Sequence, residues 1–275
     1  MSLPEFDLNG KTAIVTGGGR GIGKGIALAM AEAGAEVVIA GRTEPKLLET
    51  SSEIEAAGGK CLPIVTDVTR DQDVAVLVRR ALEAFGKIDI LVNNAGVAIV
   101  KPLVPIPGFA PKAEGLAPEF FQPTSDEEWH YVLDSNLTSA FRCTRAVAPH
   151  MLKRKWGRII NISSVEGLRG VQMHSLYSTS KAAMAGLTKS LALEWARSGI
   201  TVNVIAPGAF HTEMMAPEFE NEELRKRLLR SIPMRRGGDV REVGLLAVYL
   251  ASEAAAYVTG QTIAIDGGLT SSMGR

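Results

Sequence analysis

Two cysteines, Cys61 and Cys143, are all that the 275 residues contain, and they share no CxxC spacing. Thiols this sparse, in unrelated contexts, argue against a disulfide framework and against a structural metal site. They read as small core hydrophobes in a chain of the reducing cytoplasm. Net charge is also missing: 30 basic residues balance 30 acidic ones. Nothing advertises a polyanionic partner, so nucleic acid is not expected. Apolar residues make up 46 % of the chain, yet they are interrupted every few positions. No run approaches the roughly 18 residues of a membrane span, and residues 1–11 lack the apolar stretch of a signal peptide. There is no low-complexity tract, solenoid-length repeat or dividing linker, so one domain spanning 1–275 is expected.

What is present is an alternation. Short β-branched runs at 12–16, 37–40, 61–66, 88–92, 158–162, 201–205 and 262–265 predict strands. Longer amphipathic or Ala-rich patterns at 22–33, 45–57, 71–85, 126–151, 176–197, 222–231 and 240–251 predict helices. Near-continuous apolar strands joined by crossover helices imply a parallel sheet covered on both faces, a doubly wound α/β fold of about seven strands. One segment breaks the rhythm. Residues 100–123 hold Pro102, Pro105, Pro107, Pro111, Pro118 and Pro123, with Gly108 and Gly115. Proline removes the amide donor and fixes φ, which disfavours regular structure there. The aromatics Phe109, Phe120 and Phe121 are more than a solvated linker needs. The segment reads either as a border of the substrate site or as a surface or subunit-contact excursion.

The first strand feeds Thr16-Gly17-Gly18-Gly19-Arg20-Gly21-Ile22-Gly23, which opens the first helix. Glycines there permit a tight turn and a close approach of backbone to a pyrophosphate, and a helix N-terminus offers unpaired amides and partial positive charge. The spacing of Gly17, Gly21 and Gly23 is GxxxGxG. The second strand ends in Gly41-Arg42-Thr43, without the acidic tip that suits the ribose 2′-hydroxyl of NAD(H). Arg42, with Arg20 in the turn, suits fork-like bonding to a 2′-phosphate, which favours NADP(H) over NAD(H).

Tyr177 and Lys181 lie four apart in a helical pattern and share a face. A neighbouring ammonium lowers a phenol toward the range useful for proton transfer. Taken alone the pair also fits an ordinary surface contact. Ser163-Ser164 closes the strand 158–162, and Asn93-Asn94-Ala95-Gly96 closes 88–92, at the strand ends where α/β ligand sites lie. Asn136 falls inside a long helix, where a buried amide needs a partner.

Together these residues resemble the classical short-chain dehydrogenase/reductase family over about Leu8 to Gly268. The matching motifs are 16–23, 93–96, Ser164 thirteen residues before Tyr177, Tyr177-x-x-x-Lys181, and Pro207-Gly208 followed by Thr212. The resemblance implies a Rossmann fold and a reversible oxidoreductase acting on a small carbonyl or secondary-alcohol substrate. It assigns Tyr177 as general acid/base and Ser164 as the hydroxyl that orients the carbonyl. Lys181 would lower the tyrosine and hold the nicotinamide ribose, and Asn136 would keep a relay water in place. Gly17, Gly19, Arg20, Gly21, Ile22, Gly23, Arg42, Asn93, Ala95 and Gly96 would contact the dinucleotide. Asp67 and Val68 would contact its adenine, and Pro207, Gly208 and Thr212 its carboxamide side. A homotetramer is implied, with 126–151, 176–197 and the last strand at subunit contacts.

Two departures bear on substrate. The family's connection at 100–123 is usually much shorter, and a branched aliphatic residue usually stands where this chain has Phe210; both would lie near the substrate mouth. A rival within enzymes is a 3-oxoacyl-carrier-protein reductase, for which Lys153, Arg154, Lys155 and Arg158 offer a cationic face. A rival outside enzymes is a dinucleotide-binding regulator without turnover.

Overall fold

The computed structural model describes residues 3–105 and 122–271. Seven strands form one parallel sheet in the order β3-β2-β1-β4-β5-β6-β7. They are β1 (Thr12–Thr16), β2 (Glu36–Gly41), β3 (Lys60–Val65), β4 (Ile90–Asn93), β5 (Gly157–Ile162), β6 (Ile200–Pro207) and β7 (Thr262–Ile265). Alternation along each strand sends side chains to two cores. Ala13, Val15, Val37 and Ile39 meet helix α1 (Gly21–Glu32), α2 (Glu44–Ala56) and α9 (Val240–Ala251) on one face. Ile14, Val38, Leu91 and Val202 meet α3 (Asp71–Phe85), α5 (Ser139–Arg154) and α6 (Ser175–Trp195) on the other. Cys143 is buried in this second core and Cys61 is half-buried against the first; both are free thiols.

Because β1 is flanked by β2 and β4, successive connections depart in opposite directions at the β1/β4 boundary. A crevice opens there at the carboxyl ends of the strands. Helix α1 packs closely on α9: a Cβ on Gly25 would stand 2.8 Å from Val240, and one on Gly244 2.6 Å from the Gly25 carbonyl.

The expected helix 126–151 differs in detail. It begins as α4 (Asp126–Leu133) behind a capping box in which Ser125 and Glu128 satisfy each other's backbone amides. It then widens into a π-helical stretch over Asp134–Thr138 before continuing as α5 to Arg154, with Pro149 inside it. A short helix α7 (Ala216–Glu220) precedes α8 (Glu222–Ser231) where the sequence pattern predicted only the latter.

The proline-rich segment is tied at its root. Thr124 donates its amide to the Leu103 carbonyl at 3.0 Å and its hydroxyl to the Pro102 carbonyl at 3.1 Å. The Lys101 amide donates to the Met173 carbonyl at 3.0 Å, which places the root four residues from Tyr177. Its Phe109, Phe120 and Phe121 lie outside the described residues. Among the described residues no helix is long and apolar enough to cross a membrane, and no group of His, Cys, Asp or Glu has the clustering of a metal site.

Candidate active site

The glycine turn is shaped by contacts that a side chain would break. Gly17 and Gly21 have φ of +68° and +51°. A Cβ on Gly23 would lie 2.2 Å from the Gly17 carbonyl oxygen and 2.4 Å from Asn94 Nδ2. Asn94 holds the turn from β4: its Nδ2 donates to the Thr16 carbonyl at 2.9 Å, and the amides of Asn94 and Ala95 donate to Thr16 Oγ1. Asn94 was absent from the expected contacts, although its place in the Asn93-Asn94 pair at a strand end was the available signal. Arg20, the residue before α1, caps no amide with its side chain, so the first-turn donors are not taken up by a side-chain cap. Thr212 Cγ2 lies 3.5 Å from where a Cβ of Gly21 would stand, while Gly208 donates its amide to the Ile265 carbonyl at 2.9 Å. The 207–212 stretch therefore closes over the same turn.

Arg42 is exposed at the tip of β2. Burial raises the Asp67 carboxyl, but hydrogen bonds from Thr69 and the charge of Arg42 outweigh this and hold it below the usual carboxylate range. Asp67 and Arg42 are thus neighbours at one edge of the crevice, with Val68 buried behind them. Arg20 is not a free cation: its Nη1 pairs with Glu213 at 3.1 Å, and Lys46 reaches the same carboxylate at 3.6 Å. Asn93 sends its side chain into the sheet–helix layer. Its Nδ2 donates to Asn161 Oδ1 at 2.8 Å and to Thr144 Oγ1 at 3.0 Å, so its side chain braces β4 against β5 and α5.

Ser164, Tyr177, Lys181 and Asn136 come together at the ends of β4 and β5. Ser164 caps a 3-10 turn over Val165–Gly167, accepting from the Glu166 amide at 3.1 Å, and its hydroxyl is near enough to the Tyr177 phenol to pull that phenol down. Asn136 sits in the π-helical stretch and is fully buried. It exchanges two bonds with the Val97 backbone, at 2.7 and 2.9 Å, and donates to Ser180 Oγ at 2.9 Å. The buried amide thus has its expected partners. A Cβ on Gly96 would fall 2.9 Å from Asn136 Oδ1 and 3.3 Å from Lys181 Nζ, so glycine alone leaves both their room.

The electrostatics correct one expectation. Tyr177 is not lowered by Lys181 here. Burial first, and the Glu166 carboxylate second, push the phenol up to about 12, against a downward pull from Ser164. The Lys181 Nζ donates to the Ile162 carbonyl at 2.9 Å. Burial lowers the Lys181 ammonium to about 8, since water no longer solvates the charge.

Two further expectations are corrected. Phe210 does not line the mouth: it is buried in the first core, its ring over Gly238, where an added Cβ would be 2.3 Å from Phe210 Cε1. The absence of a side chain at Gly238 makes that room. The cationic cluster at 153–158 stands at the wrong end of the sheet. It runs from the end of α5 into the start of β5 while Ser164 follows that strand, a separation of roughly 20 Å along it. Arg154 is spent on Asp89 at 3.1 Å, and Arg158 is buried against Trp156, its guanidinium 4.4 Å from the ring.

With this geometry, the comparisons are consistent. A family model described as enoyl-(acyl carrier protein) reductase matches residues 17–270. The 2-dehydro-3-deoxy-D-gluconate 5-dehydrogenase of Bacillus subtilis is 43 % identical over 266 residues, covering 96 % of both chains. The chain belongs to the classical short-chain dehydrogenase/reductase family. Within this oxidoreductase family, the 3-oxoacyl-[acyl-carrier-protein] reductase of Vibrio cholerae is 37 % identical, covering 96 % of this chain and 99 % of the other. A crystal structure of a gluconate 5-dehydrogenase from Burkholderia cenocepacia, in complex with NADP and tartrate, superposes with a TM-score of 0.85. It is 36 % identical and covers 98 % of each chain.

Proposed function

We propose that this protein is an NADP(H)-dependent dehydrogenase/reductase that interconverts a ketone and a secondary alcohol. The observation that carries the reading is the gathering of Ser164, Tyr177 and Lys181 at the end of β5, where the Lys181 ammonium donates to the Ile162 carbonyl and stands 5.6 Å from the centre of the Tyr177 ring. The glycine turn fits a dinucleotide, because Gly17, Gly21 and Gly23 leave a cradle that a Cβ would fill. Gly17, Gly19, Gly21, Ile22 and Gly23 hold the diphosphate side, Arg42 with Arg20 the 2′-phosphate, Asp67 and Val68 the adenine. Ala95, Gly96, Pro207, Gly208 and Thr212 hold the nicotinamide side. When bound, the nicotinamide supplies or accepts the hydride.

The chain's own residues manage the oxygen. Tyr177 donates its proton to the oxygen that becomes the alcohol, and in the reverse direction takes it back. Ser164 donates a second hydrogen bond to the same oxygen, where charge develops. Lys181 holds a positive charge beside the phenol, and Asn136 fixes the Val97 backbone and Ser180 beneath them. The NADP complex of the Burkholderia cenocepacia relative supports the cofactor assignment. The Bacillus subtilis relative supports a hydroxylated small-molecule substrate. The position of the 153–158 cluster disfavours a carrier-protein substrate docked there. A homotetramer rests on the family resemblance, which puts α5, α6 and β7 at subunit contacts.

The test is NADPH and NADH consumption against a panel of ketones. Turnover with NADPH in preference to NADH is expected. Tight NADPH binding without consumption on any of them favours the non-catalytic module instead.

A further inference from the structure

Glu166 and His174 flank the reacting side chains without a part in the chemistry above. Glu166 lies two residues after Ser164, and His174 three before Tyr177. They meet in space: His174 Nδ1 is 2.6 Å from Glu166 Oε2, with side chains 22 % and 21 % exposed. The Glu166 amide donates to Ser164 Oγ, so its carboxylate springs from the same short turn as the Ser164 hydroxyl. The Glu166 charge reaches the Tyr177 phenol. His174 engages one carboxylate oxygen; Oε1 has no partner among the described residues. Oε1 is not among the buried polar atoms left without a partner, so it stays open to water and to an incoming donor. A carboxylate only accepts, so the complementary substrate group is a donor such as a hydroxyl.

We propose that Glu166, oriented by His174, accepts a hydrogen bond from a substrate hydroxyl on the carbon next to the reacting one. The site then selects α-hydroxy ketones and vicinal diols over plain ketones and alcohols. A plain alkyl group at that place strips water from the carboxylate and returns nothing, and polar sites discriminate most strongly against analogues that leave a buried group unpaired. This inference rests on Ser164 and Tyr177 being the groups that hold the reacting oxygen.

The test compares kcat/KM for 3-hydroxybutan-2-one and butan-2-one with NADPH. The wild-type protein favours the hydroxy ketone. Glu166→Leu lowers that preference about tenfold to a hundredfold, the range for a lost hydrogen bond to a charged group. Glu166→Gln, which keeps an acceptor oxygen, lowers it less, and His174→Phe falls between wild type and Glu166→Leu. The ratio is internal to one preparation, so a partly unfolded sample does not imitate the effect. If the leucine variant fails to fold, the glutamine and His174 variants carry the same comparison. A wild-type protein without the preference overturns the proposal, as does a preference unaltered in these variants. An inactive Tyr177→Phe beside an unaltered preference in Glu166→Leu sinks only the hydroxyl assignment. Wild-type rates on both ketones in Tyr177→Phe sink the underlying reading.

Discussion

Replacing Lys181 by methionine makes the folded chain more stable near neutrality. The ammonium is almost wholly buried, 4 % exposed, and donates to the Ile162 carbonyl. Burial lowers it from 10.5 to about 8. At about 1.36 kcal/mol per tenfold change in proton affinity, that fall is a cost of about 3 kcal/mol for keeping the charge inside. Methionine has a similar length and no charge, so Lys181→Met recovers the cost. The lost hydrogen bond takes back about 1 kcal/mol, leaving a net gain of about 2 kcal/mol. The pH dependence identifies the cause. Below about pH 8 the lysine is protonated in both the folded and the unfolded chain, and the full cost is present. Between 8 and 10.5 the folded chain gives up the proton first, so the cost shrinks as pH rises and is gone above 10.5. The assay is equilibrium urea unfolding of both proteins without added dinucleotide, at one protein concentration, near pH 7 and pH 10. A gain near pH 7 that disappears near pH 10 is expected. No gain near pH 7, or an equal gain at both, refutes the reasoning. The cost of this buried charge is one the fold would carry for chemistry and not for stability.

The remaining predictions concern the dinucleotide turn. Arg42→Asp raises KM for NADPH about tenfold or more, the scale of a lost charge-assisted bond, and KM for NADH only slightly. Equal losses with both contradict the 2′-phosphate assignment. Gly23→Ala sets a methyl 2.2 Å from the Gly17 carbonyl oxygen. The turn must open, at about 1–3 kcal/mol of overpacking strain. NADPH affinity by fluorescence titration falls with it, and an unchanged Kd contradicts the cradle.

Much of the fold was legible because parallel strands buried on both faces carry little but apolar residues. The runs at 12–16 and 262–265 coincide with β1 and β7 residue for residue. The run at 88–92 begins two residues before β4, since Ile88 is apolar and buried without pairing in the sheet. The π-helical widening at Asp134–Thr138 was not legible, because one extra residue in a turn barely disturbs a 3.6-residue pattern. Residues of the site were legible as types at chain positions, but their partners were not. Glu213 is 193 residues from Arg20 in sequence, and nothing local predicts that it occupies the guanidinium. The direction of the Tyr177 shift escaped for the same reason: spacing places an ammonium on the same helix face, whereas burial and Glu166 are tertiary facts. Phe210 was misplaced because the family resemblance gives its position in the chain and not the ring's packing over Gly238.

The most direct measurement is single-turnover oxidation of bound NADPH by a ketone that the wild-type protein reduces, compared in wild type and Tyr177→Phe after titration shows equal NADPH affinity. The phenol is the proton donor of the proposed reaction and feels the Ser164 hydroxyl beside it. Its bond to the reacting oxygen strengthens only as charge develops there. The account predicts a rate lower by about two to four orders of magnitude, the range for a lost general acid, with binding retained. A Tyr177→Phe rate near that of the wild type contradicts it.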